Sequence, residues 1–346
     1  MNVSLRHVLT GLAASLLRAH RSRDYEGPAS DHFDGRRFYN PWDSSGRNLG
    51  DLFKWWATGN ASPWPKLVAN TRADVPPERI HGETLLITCI GHSTTLIQTA
   101  GQNILTDPVW SDRAGPFGLL GPKRVRLPGI RLENMPHLDV VLVSHNHYDH
   151  LDLPTLEALW KRDRPRIIAP IGNAGLIKRA APGLCCEELD WWQWTDIVPG
   201  MRIHATPAHH WSARGVLDRR NALWSSFVME TPGGNICFFG DTGYAAGEPF
   251  RQLRERFVSF RAALLPIGAY EPRWFMAAAH MNPEEAARAF LILGAKSAVA
   301  HHHGVFRLSD EGISKPAVDL KSALHRLDIP PDTFRAPDIG EGWILP

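Results

Sequence analysis

Ser144-His145-Asn146-His147-Tyr148-Asp149-His150 follows directly on Val140-Val141-Leu142-Val143. An apolar run of this length that gives way at once to polar side chains reads as a buried strand opening into a loop. The loop carries four metal-competent side chains in the pattern H-x-H-x-D-H, which a regular strand or helix cannot aim in one direction. A loop can splay them into two groups. His145 and His147 then suit one metal, and Asp149 and His150 a second about 3.5–4 Å away, as two-metal hydrolases arrange it. Imidazole and carboxylate without thiolate favour two Zn²⁺ ions, and Fe or Mn also suits such a set. The bland alternative is a polar surface turn that happens to hold histidines. The position at the end of a buried strand, where α/β active sites tend to lie, argues for the metal site.

Outward from this loop the texture is that of a layered α/β sandwich. Residues 85–90, 94–99 and 102–106 read as short strands, the last closed by Asp107-Pro108. A loop rich in Gly, Pro and Arg covers 110–127. After the H-x-H-x-D-H loop, Pro154 opens a helix over 155–161, and 166–169 reads as another buried strand. Further strands are expected over 201–205, 223–230, 235–239, 262–266 and 298–300. Between the last two, Asn282, Pro283 and Glu285 occupy the N-cap, first and third positions of a helix, the spacing of a capping box.

Composition sets limits on partners. The 346 residues carry 38 Lys+Arg against 36 Asp+Glu, a net charge of +2, so no global excess points to nucleic acid or to an anionic membrane. The chain is rich in His, Trp and Pro, with 17, 13 and 27 of them. Four cysteines, Cys89, Cys185, Cys186 and Cys237, make neither a disulfide framework nor a zinc knuckle and read as mostly buried thiols. An apolar stretch over 8–17 is too short to span a bilayer and is followed by a poor cleavage site, so a cytoplasmic protein, with peripheral membrane contact open to it, is expected ahead of an exported or anchored one. Residues 21–77 read as an irregular arm, with Phe33, Phe38, Tyr39, Trp42, Phe53, Trp55, Trp56 and Trp64 as anchors and a periodic stretch only around 49–57.

The H-x-H-x-D-H loop resembles the defining motif of the metallo-β-lactamase superfamily, and later stretches match in order. The resemblance implies an α/β fold in four αββα layers over residues 81–346, with residues 1–80 as the irregular arm. It implies metal ligands His145, His147, Asp149, His150, His210, Asp241 and His302. His209 competes with His210, and Trp211 favours His210 because the family motif is His-Trp. Any of His301, His302 and His303 could coordinate on the residues alone; the family pattern Ala-x-His-x-Gly-x-Phe selects His302. Asp149 also admits a reading as catalytic base, but the family has a ligand there.

Within the superfamily the chain looks most like the phospholipases D that hydrolyse N-acylphosphatidylethanolamine. That likeness rests on Gly91-His92-Ser93-Thr94, Leu105-Thr106-Asp107-Pro108, Gly121-Pro122-Lys123-Arg124 and Gly240-Asp241-Thr242-Gly243-Tyr244. It rests above all on the block from Pro266 to Met276, followed by His280 and Pro283-Glu284-Glu285-Ala286. It implies a phosphodiesterase that releases phosphatidic acid and an N-acylethanolamine, with His280 binding phosphate or protonating the leaving alkoxide, and a homodimer. Lys123 and Arg124 would steer an anionic head group, or else form an ordinary solvated loop. Tyr270 and Trp274 would line an apolar wall for acyl chains, or else pack the core. A lactonase, β-lactamase or nuclease would use the same kind of site, since a fold does not determine a substrate.

Overall fold

The computed structural model describes residues 25–42, 49–215 and 217–346. The apolar stretch 8–17 lies outside them. Fourteen strands follow in order among the described residues: β1 (Leu85–Gly91), β2 (Thr94–Thr99), β3 (Gln102–Thr106), β4 (Val140–Leu142), β5 (Arg166–Pro170), β6 (Cys186–Leu189), β7 (Trp194–Val198), β8 (Met201–Thr206), β9 (Ser226–Glu230), β10 (Ile236–Phe238), β11 (Phe260–Pro266), β12 (Ala295–His301), β13 (Phe334–Arg335) and β14 (Gly342–Leu345). They form two seven-stranded sheets, in the orders β14-β1-β2-β3-β4-β5-β6 and β13-β12-β11-β10-β9-β8-β7. Both are mixed. From β3 to β6 and from β10 to β13 neighbours run parallel, and the hairpins run antiparallel.

Side-chain alternation on these strands builds the layers. Leu85, Ile87, Ile97, Ile104, Val140 and Leu142 of the first sheet meet Ile203, Phe227, Ile236, Phe238, Ala262 and Leu264 of the second, filling the space between the sheets. The residues between them point outward. Leu96, Leu105, Val141 and Ile167 pack under Leu156 and Leu159 of the helix Leu153–Asp163. On the opposite face Cys237, Ala263 and Leu265 pack under Phe250 and Leu253 of the helix Glu248–Phe257, Phe290 of Pro283–Leu293 and Leu320 of Lys315–Arg326. Helix, sheet, sheet, helix is the αββα sandwich.

The capping box forms as expected: Glu285 N donates to the Asn282 side chain at 2.8 Å, and Asn282 N to Glu285 at 2.9 Å. The expected strand over 223–230 begins only at Ser226. The preceding peptides are used elsewhere, Leu223 N on Ile171 O and Ser225 N on Ser144 O, and this second bond ties the two sheets together beside the H-x-H-x-D-H loop. Cys89 and Cys237 are buried free thiols, whereas Cys185 is exposed, contrary to the general expectation for the cysteines. Phe33 and Phe38 of the N-terminal stretch are buried against Trp191, Leu223 and Trp224, but Phe53, read as an anchor, is exposed. Among the described residues no helix is long and apolar enough to cross a membrane.

Candidate metal centre

The centre lies where strand ends from both sheets converge. β4 delivers the loop 143–150, β8 leads to His210, β10 to Asp241 and β12 to His302, while the β1–β2 turn presents His92. Two glycines let these segments pass closely. A Cβ on Gly240 would stand 2.2 Å from Ser144 Oγ, and one on Gly268 would stand 1.9 Å from the His302 carbonyl oxygen. His302 itself takes the left-handed φ of 62°, which turns the chain inward as β12 ends.

The donor atoms fall into two groups of four, His145, His147, His210 with Asp241 and His92 with Asp149, His150 and His302, each within 4.8 Å of one another, and Asp241, His280 and His302 form a smaller third cluster. In the first, His147 Nδ1 is 2.9 Å from His145 Nε2 and 3.2 Å from His210 Nε2. Asp241 Oδ2 closes this group at 4.0 Å from His145 and 3.7 Å from His210. In the second, Asp149 Oδ2 is 3.5 Å from the Nε2 atoms of both His150 and His302. Asp241 also borders this group, with Oδ2 3.2 Å from His150 and Oδ1 2.9 Å from His302. Donors on a tetrahedron with bonds of ~2.0–2.1 Å stand about 3.3 Å apart, so both spacings match a cation at the middle.

Hydrogen bonding tests the fit. The Nε2 atoms of His150 and His302 and Oδ1 of Asp241 are buried without any hydrogen bond, a costly arrangement unless a cation takes up their lone pairs. His145, His150 and His210 are braced on their far sides, as ligand imidazoles usually are, whereas the far ring nitrogens of His147 and His302 have no hydrogen bond. His150 Nδ1 is 2.7 Å from the buried Asp107, which also accepts from the Ser144 amide at 2.7 Å and the Ser144 hydroxyl at 2.6 Å. His145 Nδ1 lies 2.9 Å from that hydroxyl, and His210 Nδ1 donates to Ala279 O at 2.9 Å.

The two groups also differ in charge before any cation is added. Burial, reinforced by neighbouring imidazoles, holds His145 and His210 well below the ordinary histidine value, and burial brings His147 down to about 4. These three are neutral at pH 7, with lone pairs available to a metal. Burial alone would lower His150 too, but Asp241, Asp149 and Asp107 hold it well above the usual value. Asp149 and Asp241 are kept well below the usual carboxylate range: burial opposes this, and the adjacent His150 outweighs it.

Comparison with known proteins matches residues 102–303 to the beta-lactamase superfamily domain. The chain is 34% identical over 282 residues to N-acyl-phosphatidylethanolamine-hydrolyzing phospholipase D 1 of Caenorhabditis elegans, covering 78% of this chain and 79% of that one. It is 38% identical over 242 residues to the mitochondrial N-acyl-phosphatidylethanolamine-hydrolyzing phospholipase D of Saccharomyces cerevisiae, covering 68% of this chain and 50% of that one. The chain belongs to the metallo-β-lactamase superfamily. Among solved structures, CmlA, a diiron beta-hydroxylase from Streptomyces venezuelae, superimposes with a TM-score of 0.57 at 18% identity over 78% of this chain and 54% of that one. At that identity the likeness speaks for the fold alone.

In this metallo-β-lactamase fold all seven residues singled out as ligands lie in the two groups. His209 does not: its amide donates to Thr242 Oγ1 at 2.9 Å and its ring lies 6.2 Å from Trp42. His301 turns to Ser93 Oγ, 3.2 Å away, and His303 is outside both groups. His280 stands at the rim, with Nδ1 3.8 Å from Asp241 Oδ2. The four residues linked to substrate are not gathered at the donors. Arg124 is buried, its guanidinium donating to the carbonyls of Ser111 and Val109 at 2.9 Å, while Lys123 is exposed. Tyr270 is buried and donates to Asp319 at 2.6 Å; Trp274 is partly exposed beneath Lys54 Nζ, 4.6 Å from its ring centre.

Residue-by-residue reading missed two neighbours of the ligands. Asp107 stood in plain sight as the Asp-Pro that closes β3, and His92 in Gly-His-Ser-Thr, but neither carried a role. The available signal was position: each follows a strand whose end reaches the same edge.

Proposed function

We infer that the protein is a two-metal phosphodiesterase acting on N-acylphosphatidylethanolamine-type phospholipids, releasing phosphatidic acid and an N-acylethanolamine. The observation that carries this reading is a complete double His/Asp donor set in a chain related over 78% of its length to a phospholipase D of that specificity. Zn²⁺ suits the donors best, and iron or manganese would also be accepted by imidazole and carboxylate. His145, His147, His210 and Asp241 would hold one ion, and Asp149, His150, His302 and Asp241 the other. When bound, the pair supplies Lewis acidity and a water whose pKa is lowered towards neutrality.

The chain's own groups account for the rest. Attack on phosphorus forms a P–O bond to water oxygen and breaks the P–O bond to the ethanolamine, whose oxygen must gain a proton. The attacking water gives up that proton, and His280 is placed to relay it to the leaving oxygen or to hold a phosphoryl oxygen. Burial brings its pKa down to about 4, so the ring is neutral at pH 7 with one N–H to offer, and Nδ1 has no hydrogen bond. Asp149, charged and directed among three imidazoles, serves as a ligand rather than as a base. Because Arg124 is engaged by peptide carbonyls, steering of a head group falls to Lys123, and Tyr270 and Trp274 act as walls.

Two surface features support a lipid substrate. From Arg113 to Leu132 the chain carries no acid and, besides the buried Arg124, four cations, while Phe117, Leu119, Leu120 and Leu127 are exposed, a composition suited to peripheral contact with an anionic bilayer. A cavity of about 290 Å³ beside Tyr148 is lined by the apolar Phe117, Leu153 and Leu176, with Arg179, Asp152 and Glu157 at its polar wall, space for an apolar chain. We place the protein in the cytoplasm, in contact with membranes, as a homodimer.

The test is turnover of N-acylphosphatidylethanolamine in mixed micelles by metal-loaded protein, beside a lactone and a β-lactam, with His280→Ala alongside. Phosphatidic acid should be released, and the variant should lose about 10²–10⁴-fold in kcat, the usual worth of a positioned acid or base. Turnover of the lactone or β-lactam alone would sink the lipid assignment.

A further inference from the structure

We propose that His92 is a positioning residue of the metal centre, which holds Asp149 by a hydrogen bond from its ring and His302 by a hydrogen bond to its peptide. It goes beyond the phospholipase reading and does not depend on which ester is cleaved.

His92 is buried in the turn between β1 and β2, at a left-handed φ of 46° that a histidine adopts at some cost. Its Nε2 lies 3.1 Å from Asp149 Oδ2, and its carbonyl oxygen accepts from the His302 amide at 2.9 Å. The ring packs 4.1 Å from the His302 ring and edge-on to Phe306 at 5.2 Å, which restricts its rotation. One residue thus touches two of the three side chains that, with Asp241, form the carboxylate-bearing half of the centre.

The far ring nitrogen determines how the bond is made. Nδ1 of His92 is buried with no hydrogen-bond partner. A neutral imidazole with its proton on Nε2 donates to Asp149 and leaves only a bare acceptor at Nδ1. The opposite tautomer would bury an unpaired N–H and face a lone pair to the carboxylate, which is the costlier choice. Donation occupies one lone pair of Oδ2 and orients the carboxylate towards His150 and His302. Outer partners of this kind typically change metal affinity by about 10–100-fold when lost. Nε2 is also close enough to the other donors to raise the rival idea that His92 is itself a ligand.

His92→Leu removes the donor, and His92→Gln retains an N–H near the place of Nε2; both keep the same strained backbone. Each purified variant and the parent would be stripped, reloaded with Zn²⁺ against a competing chelator, analysed for metal per chain and melted with and without metal. The expected result is one equivalent bound about 10–100-fold more weakly in His92→Leu, substantial recovery in His92→Gln, and closely similar melting of the three stripped proteins. The metal-induced rise in melting temperature should shrink in His92→Leu alone, since a ligand's stabilisation falls with the logarithm of its affinity. Equal zinc affinity in parent and His92→Leu would overturn the proposal. So would a fall in melting temperature of the stripped protein that accounts for the whole effect, which means a structural role. A His92→Gln variant as impaired as His92→Leu would overturn hydrogen-bond donation, and nitrogen coordination lost from Co²⁺ spectra in both would make His92 a ligand instead.

Discussion

His145, His147 and His210 on one side of Asp241 are neutral imidazoles, of which His145 is braced by a hydroxyl and His210 by a peptide carbonyl, whereas Asp149, His150 and His302 on the other carry charge, with His150 braced by a buried carboxylate and Asp149 by a further imidazole. A neutral donor with its lone pair already free needs only to be pointed. A charged pair in a water-poor site needs its remaining hydrogen-bonding capacity met as well, or burial makes it expensive. That is why Asp107 and His92 both serve the carboxylate side. The halves differ in what must be supplied around them more than in the number of ligands.

Asp241 is the one residue common to both halves, so Asp241→Ala should produce the largest effect. Metal content should fall towards zero and activity by more than about 100-fold, beyond the range expected for an outer partner. Retention of one full equivalent would show that one half stands without the shared carboxylate. Asp107→Asn comes next. It weakens the brace on His150 directly and on His145 only through Ser144, so the carboxylate half should lose about 10–100-fold in metal affinity and the imidazole half less. Equal losses, measured by chelator titration, would break the contrast. Gly268→Ala tests the backbone under His302: its Cβ has no room against that carbonyl, and strain of about 1–3 kcal/mol should appear as a lower melting temperature together with weaker binding in the carboxylate half.

The contrast also explains what could be read in the sequence. His145, His147, Asp149 and His150 fall within six residues after an apolar strand, and the capping box at Asn282 needs only local spacing. Short apolar runs with helical stretches between them made a layered α/β sandwich legible as well, and the family resemblance supplied its four αββα layers. The bracing residues were not legible because their meaning is long-range. Asp107 reaches His150 across 43 positions, and its Asp-Pro reads locally as a turn. β14 is four residues near the chain end whose pairing with β1 spans most of the domain. Arg124 shows the opposite error: a cation in a Gly- and Pro-rich loop suggests a free charge, yet its guanidinium is spent on carbonyls of that loop.

Ser144→Ala should give the smallest effect and sharpens the comparison furthest. The hydroxyl has one proton, and the 2.6 Å contact to Asp107 Oδ2 takes it. Its lone pair is then left to accept from His145 Nδ1, which keeps the other ring nitrogen unprotonated towards the donors. Alanine preserves the Cβ and the amide bond to Asp107 Oδ1, so the loop should hold its path while His145 Nδ1 loses its partner. A neutral hydrogen bond is worth about 0.5–1.5 kcal/mol, which corresponds to less than or about tenfold in affinity at the imidazole half. The carboxylate half should be unchanged, because His150 keeps its own contact with Asp107. Chelator titration resolving two equivalents reads this directly: a selective loss smaller than that of Asp107→Asn supports separate bracing, and a matching loss in both halves would make Ser144 and Asp107 a single unit.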